Sequence, residues 1–350
     1  MRPWESNIRK IAPYVPGEQP KGEKLVKLNT NENPYPPSPC LSQALNQVDC
    51  DLFRKYPDPT AAVLIKALSK AYQVGEDQIF VGVGSDDVIA VAFMTFFNSH
   101  KPLLFPDVSY SFYKVWADLF RIPYETPALD EGFHIIPEDY YRENGGIIFP
   151  NPNAPTGLLM PILQVEDIIA HNQESIVIVD EAYIDFGGES ALSLIEKYEN
   201  LLVVQTFSKS RSMAGMRIGC AFGHPDLISR LNDVKYSFNS YTMNSPSLIL
   251  GAKVLEDESY FKETIEKVIR TRENAKIRLR ELGFEFPDSM ANFIFASHKD
   301  RRAEDIYKAL RENSIFVRYF KQPRTDNYLR ISIGTDEEME KLYSFLKEYL

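Results

Sequence analysis

Six short apolar runs, each followed by a stretch of different periodicity, constrain this chain more than any other feature. They are QIFVGV (residues 78–83), KPLLFP (101–106), GGIIFP (145–150), SIVIVD (175–180), LLVVQT (201–206) and IGCAFG (218–223). Several are apolar throughout, as strands covered on both faces should be. Strands alternating with helical patterns specify a mostly parallel sheet with crossover helices, so the expected fold class is α/β. The first 45 residues differ. They are rich in Pro and Asn (PYVPGEQP, then KLNTNENPYPPSP) and read as an extended arm with little regular structure, because proline fixes φ and removes donors. From Pro246 to Leu282 the pattern is helical, long and charged, and Gly283 is its stop. Beyond it NFIFAS, AEDIYKALREN, IFVRYF and YLRISIG read as strand, helix, strand and strand. Thr335 and Glu338 then form a capping box for a last helix. The expected organisation is an arm (1–45) packing with the small domain, a large α/β domain (46–245), and an interdomain helix with a smaller α+β domain (246–350).

In open parallel sheets, ligands bind beyond the carboxyl ends of the strands. Polar residues collect at those places here. In GVGSDDVIAVAFMTFF a strand runs through a glycine-containing turn into a helix starting near Asp86. Its first N–H groups and the Ser85 hydroxyl suit a phosphate, although Ser85 or Asp86 serving only as an N-cap explains the same pattern. In SIVIVDEAYIDF, Asp180 ends an apolar run. A carboxylate placed there is costly unless it meets a positive group. It could cap a helix, or hold a proton on a cofactor nitrogen with Tyr183 reaching the same ligand. In TFSKSRSMAGMRIG, Lys209 follows the next run, flanked by Ser208 and Ser210, with Arg217 eight residues on. A partly desolvated amine beside cations is a usable nucleophile, whereas most lysines are simply solvated. Together, a lysine, a strand-end Asp and a phosphate-type turn on one sheet edge match the needs of pyridoxal phosphate chemistry. Asn153 in NPNAPTG could donate to a ring oxygen or merely shape the turn. Tyr110 in VSYSFY could stack on a flat ring or be one of 19 ordinary tyrosines. Arg318 and Arg330 lie in the last strands. Facing inward, either would need a carboxylate or phosphate; facing outward, neither would.

Composition narrows the partners. A net charge of −10 argues against nucleic acid, whose binding is driven by Lys and Arg, but leaves room for a local basic pocket. No apolar run approaches the ~20 residues that span a membrane, and MRPWESNIRK has no apolar core of the signal-peptide kind. Cys40, Cys50 and Cys220 have no metal-ligand spacing and read as reduced cytoplasmic thiols.

Taken in order, GVGSDD, NPNAPTG, DEAYIDF and TFSKSRSMAGMRIG resemble the fold-type-I pyridoxal phosphate aminotransferases, from about Pro13 to the C-terminus. KLNTNENPYPPSP, with PYVPGEQP before it and RKYPDP after it, resembles the histidinol-phosphate aminotransferases in particular, and so does LRISIGT. The resemblance implies pyridoxal 5'-phosphate as cofactor, with Lys209 as the Schiff-base lysine. It implies Asp180 on the pyridine nitrogen and Tyr183 on the ring oxygen. Ser85, Asp86, Ser208 and Arg217 would surround the phosphate, Tyr110 would stack on the ring, and Asn153 would contact it. Tyr56 would reach the phosphate of a neighbouring subunit, which implies a homodimer. Tyr14, Arg318 and Arg330 would bind the phosphate or carboxylate of the substrate. The implied reaction interconverts histidinol phosphate plus 2-oxoglutarate with imidazole-acetol phosphate plus glutamate, in histidine biosynthesis. Ala154 departs from the family pattern, which often has Asn just before PTG, so either Asn153 makes the ring contact or that contact is missing. An aromatic or broad-range aminotransferase, or a phosphothreonine decarboxylase, would share the cofactor residues. A ligand-sensing regulator would need a basic N-terminal segment, and a nucleotide site would need the Gly-Lys-Ser/Thr that GVGSDD lacks.

Overall fold

The computed structural model describes residues 2–22, 25–46 and 48–350. In chain order, the strands are β1 (Val26–Leu28), β2 (Ile79–Gly82), β3 (Leu103–Leu104), β4 (Tyr124–Glu125), β5 (Gly146–Pro150), β6 (Val177–Asp180), β7 (Leu201–Thr206), β8 (Gly219–Gly223), β9 (Phe284–Glu285), β10 (Phe293–His298), β11 (Ile315–Tyr319) and β12 (Leu329–Ser332). The helices are α1 (Cys40–Asn46), α2 (Ala62–Tyr72), α3 (Ser85–Phe96), α4 (Phe112–Phe120), α5 (Ile162–His171), α6 (Pro225–Phe238), α7 (Ser245–Val254), α8 (Glu258–Glu281), α9 (Ala303–Glu312) and α10 (Asp336–Tyr349).

Seven strands form one sheet in the order β2-β8-β7-β6-β5-β3-β4. All run parallel except β8, which is antiparallel to both β2 and β7. Each apolar run seen in the sequence supplies one of these strands. Their alternate residues bury in two separate clusters. Val81, Phe149, Val179 and Val203 pack with α2, α5 and α7 on one face. Phe80, Ile148, Ile178 and Val204 pack with α3, α4 and α6 on the other. Burial on both faces explains why these strands read as continuous apolar runs, and each such side chain contributes roughly 1.5–3 kcal/mol relative to exposure. Asp180 shares parity with Ile178 and so belongs to the α3/α4 side.

The second sheet has the order β1-β11-β12-β10-β9. Its core side chains, including Phe293, Ile294, Val317 and Ile331, pack with Val268, Ile306 and Leu342 from α8, α9 and α10. The Thr335–Glu338 capping box at α10 is present in both directions, and Gly283 follows α8 at φ +85°.

Three local features add to the expectations. The little regular structure in the arm is specific: β1 pairs parallel with β11, and α1 follows. A three-residue strand has no periodicity of its own and exists because β11 offers it a ladder. The helical stretch 246–282 is two helices, broken because the Asp257 carboxylate accepts from Tyr260 N (3.2 Å) and starts α8 afresh. Finally, α3 begins at Ser85 with Gly84 as its N-cap, so neither Ser85 nor Asp86 is the cap.

Candidate active site

Because β8 is antiparallel, its entry lies beside the exits of β2 and β7. The ladder pairs Gly219 with both Gly82 and Thr206. The segments after β2, β5, β6 and β7, together with the loop entering β8, therefore converge on one edge. This is the edge at which such sheets bind ligands. A Cβ on Gly219 would lie 2.3 Å from Gly84 C and 2.4 Å from Ser85 N, so only glycine permits the start of α3 to approach this closely.

The start of α3 leaves its first N–H groups without helical partners, with the dipole directed at the same point. Arg217 faces it. Its Nη1 donates to Ser208 Oγ (3.4 Å) and its Nη2 to Asp86 Oδ2 (3.4 Å). Arg217 itself sits at φ +52°, a strained conformation for a side chain of this size. Thr206 Oγ1 donates to Ser208 Oγ (3.0 Å), which extends the polar lining. Ser85 N–H, Asp86 N–H, Ser208 and Arg217 thus lie where they could cradle a phosphate. The Asp86 carboxylate instead neutralises Arg217 and accepts from Tyr110 Oη (2.9 Å).

Asp180 is 5% exposed. Its Oδ2 accepts from Tyr113 Oη (2.7 Å) and its Oδ1 from Ala182 N (3.2 Å). Among the described residues no cation pairs with it. Burial pushes its carboxyl up to about 6, opposed by the Tyr113 and Ala182 hydrogen bonds and assisted by the negative charge of Asp86. A buried carboxylate without a cation fits a protonated ring nitrogen.

Lys209 leaves β7 and donates from Nζ to Thr30 O (3.0 Å), with Nζ 5.8 Å from the Tyr183 ring centroid. Tyr183 Oη accepts from Asn31 Nδ2 (3.0 Å). Asn33 Nδ2 donates to Ser210 O (3.1 Å), and Asn31 is itself held by Ser332 and Asn292. The arm segment 29–33 therefore ties the lysine loop to the small sheet. Asn153 is buried. Its Nδ2 donates to Val108 O and Thr156 Oγ1 (both 3.0 Å), and its Oδ1 is sealed from solvent without a partner. Both amide hydrogens are thus taken, and the expected donor role meets a side chain that presents an acceptor. Ala154 is buried in the small-sheet cluster with Tyr183.

Arg318 and Arg330 are directly opposed on β11 and β12. Like charges so placed repel. Arg318 donates to Val15 O (3.0 Å) and Pro16 O (3.3 Å), and Arg330 Nη2 donates to Asn29 O (3.1 Å). Arg330 Nε is buried without a partner, and among the described residues neither guanidinium has a carboxylate. Burial, and then the charge of Arg318, hold Arg330 below the usual guanidinium value, while the Tyr183 and Tyr14 phenols oppose this. Tyr14 stacks on Phe112 (4.6 Å) and lies 6.2 Å from Tyr110. Burial raises its phenol, and the charges of Arg318 and Arg330 pull it back down. An anion between the two arginines would relieve an arrangement that the protein alone leaves unbalanced.

Tyr56, expected to reach the phosphate of a neighbouring subunit, is 82% exposed and stacks on Tyr241 (4.6 Å). Tyr113, Asn31 and Thr30 were not singled out in the sequence. Tyr113 lies three positions after Tyr110, in the first turn of α4, with Tyr110 just before that helix. Nothing local marks Asn31, whose partner Tyr183 is 152 residues away.

A helix start opposite Arg217, a strand-end carboxylate and a loop lysine on one sheet edge, with an arginine pair on the small sheet, fit a fold-type-I transferase, and the chain belongs to the family Aminotransferase class I and II, which matches residues 23–346. Over 347 residues it is 50% identical to a histidinol-phosphate aminotransferase of Lactococcus lactis subsp. cremoris (strain MG1363), covering 99% of this chain and 98% of that one. Over 343 residues it is 52% identical to a histidinol-phosphate aminotransferase of Pseudomonas putida (strain ATCC 47054), covering 98% and 99%. Among solved structures, the histidinol-phosphate aminotransferase from Sinorhizobium meliloti in complex with pyridoxal-5'-phosphate shares the fold. Its TM-score is 0.84 at 21% identity, covering 93% of this chain and 92% of that one.

Proposed function

We propose that this chain transfers an amino group between histidinol phosphate and 2-oxoglutarate, giving imidazole-acetol phosphate and glutamate, with pyridoxal 5'-phosphate as cofactor in histidine biosynthesis. The observation that carries the reading is that Asp180, Lys209 and the α3 N-terminus share one sheet edge, while Arg318 and Arg330, without carboxylate partners among the described residues, oppose each other on the small sheet near Tyr183 and Tyr14. When bound, pyridoxal phosphate supplies a carbonyl that condenses with amines and a ring that accepts the electron pair left by proton loss.

The protein's part follows from its own groups. Ser85 N–H, Asp86 N–H, Ser208 and Arg217 would hold the cofactor's phosphate. Asp180, kept ionised by its two donors, would hold a proton on the ring nitrogen. Tyr183, oriented by Asn31, would donate its hydroxyl to the ring oxygen, and Tyr110 would cover one ring face. Lys209 Nζ, released from Thr30 O, would carry the proton removed from the substrate's α-carbon. Arg318, Arg330 and Tyr14 accept the phosphate of one substrate and the carboxylate of the other, which the planar guanidinium fork allows.

Arg330→Ala should raise KM for both histidinol phosphate and glutamate by about 10- to 100-fold, the worth of a charge-assisted hydrogen bond, while the cofactor spectrum stays unchanged. Steady-state kinetics with each substrate check this. The substrate assignment is tested by profiling acceptors and donors. Imidazole-acetol phosphate should outcompete phenylpyruvate as amino acceptor, and phosphothreonine should release no carbon dioxide. Faster turnover of phenylpyruvate would favour the aromatic alternative.

The proposal extends to a homodimer working in the cytoplasm. Phe53, Tyr56, Tyr236, Phe238 and Tyr241 are each exposed, Tyr56 stacks on Tyr241, and Tyr236 Oη donates to Pro59 O. Apolar patches of this kind mark interfaces, and a second copy would bring Tyr56 to the partner's phosphate cradle. Among the described residues no helix is long and apolar enough to cross a membrane, and the three cysteines are free thiols, which suits a reducing compartment.

A further inference from the structure

We infer that Tyr113 is a positioning residue for this chemistry: its phenol fixes Asp180 as an oriented carboxylate, so that the shared proton stays on the cofactor's ring nitrogen. The inference rests on the reading that pyridoxal phosphate sits against Asp180. Four observations support it. Tyr113 is 0% exposed, and among the described residues its phenol makes one hydrogen bond, the 2.7 Å donation to Asp180 Oδ2. The bond is sequence-distant: it spans 67 positions and joins α4 to the end of β6. The ring is clamped edge-on by Tyr110 (centroids 5.6 Å apart, 88° between planes) and by Phe105 (6.0 Å, 70°), so the hydroxyl has one direction to point. The fourth is the balance of charge around Asp180. Asp86 of α3 and Tyr113 of α4 act on Asp180 directly, while Tyr110 before α4 and Tyr183 after β6 act on its donor Tyr113. Asp86 disfavours ionisation, and no cation compensates among the described residues. Tyr113 is then the one side-chain donor that keeps the carboxylate charged, backed by Ala182 N.

The chemical consequence is specific. A carboxylate that already accepts one strong hydrogen bond is a weaker base toward a second proton. Tyr113 thereby disfavours transfer of the proton from the ring nitrogen to Asp180. Packing alone would not have that effect.

The test uses the holoenzyme and Tyr113→Phe, which keeps the ring and removes the donor. The acid limb of kcat/KM with histidinol phosphate should move up by about one pH unit, the size expected for a lost hydrogen bond to a charged group. The ring-nitrogen signal of bound ¹⁵N-labelled pyridoxal phosphate should shift toward that of neutral pyridine. An acid limb and a ¹⁵N signal that both match the unmutated holoenzyme would overturn the inference. Should Tyr113→Phe not fold, 3-fluorotyrosine placed at position 113 makes the phenol a stronger donor. The acid limb must then move down, and an unmoved limb overturns the inference equally. Failure of the unmutated chain to bind pyridoxal phosphate is a separate result that sinks the underlying reading.

Discussion

Lys209→Ala is expected to lower turnover with histidinol phosphate by about 10⁴-fold, because one residue serves as both attachment point and proton carrier. The fold should survive. Among the described residues Lys209 Nζ makes a single hydrogen bond, to Thr30 O, and the loop around it is held by other groups. Ser210 Oγ donates to Asp185 Oδ2 (2.5 Å), and Asn33 donates to Ser210 O. Circular dichroism and thermal unfolding should therefore match the unmutated chain, while single-turnover rates collapse. Added methylamine should restore part of the rate, in proportion to its free base, since it can enter the vacated space and carry the same proton. Retention of a tenth of the native rate would remove Lys209 from the chemistry.

Asp180→Asn should pull activity and stability in opposite directions. Turnover is expected to fall by about 10²- to 10³-fold, the usual effect of losing a preorganised charge at the reacting centre. The cofactor-free protein should gain stability at pH 8. The sign follows from the carboxyl of Asp180, which burial raises to about 6 from an ordinary value near ~3.9. A group raised in the folded state contributes stability below about pH 4 and loses it as pH climbs through about 6. At pH 8 the native apoprotein carries a buried, unpaired charge that asparagine does not. The difference should be on the order of 2 kcal/mol and should vanish near pH 4. Denaturant unfolding of both apoproteins at the two pH values measures it. Glu181, raised to about 7 mainly by burial, is common to both chains and cancels. The cost of keeping Asp180 is what a functional site commonly imposes on the fold around it.

Much of this was legible in the residues because the large sheet is covered on both faces. Such strands advertise themselves as apolar runs, and their ends, where Asp180, Lys209 and Ser85 lie, are found by counting. The features that escaped depend on tertiary partners. β4 has two residues, Tyr124 and Glu125, and is recognisable only beside β3. β1 owes its existence to β11. The break at Asp257 competes with a strongly helical composition on both sides, and a capping carboxylate within a charged run looks like any other acidic residue. Asn31 and Tyr113 act on Tyr183 and Asp180 across 152 and 67 positions, separations at which no periodicity carries information. Asn153 shows a subtler limit. Its position at the edge was foreseeable, but the spending of both amide hydrogens on Val108 and Thr156 was not.

One measurement bears most directly on the convergence of Lys209, Asp180 and the α3 cradle on a single cofactor. The holoprotein is reduced with borohydride and digested, and the phosphopyridoxyl group is located by peptide mass spectrometry. The adduct should sit on Lys209 and on no other lysine, in a protein whose visible absorbance disappears on reduction. An adduct on a different lysine, or none at all, would contradict the account.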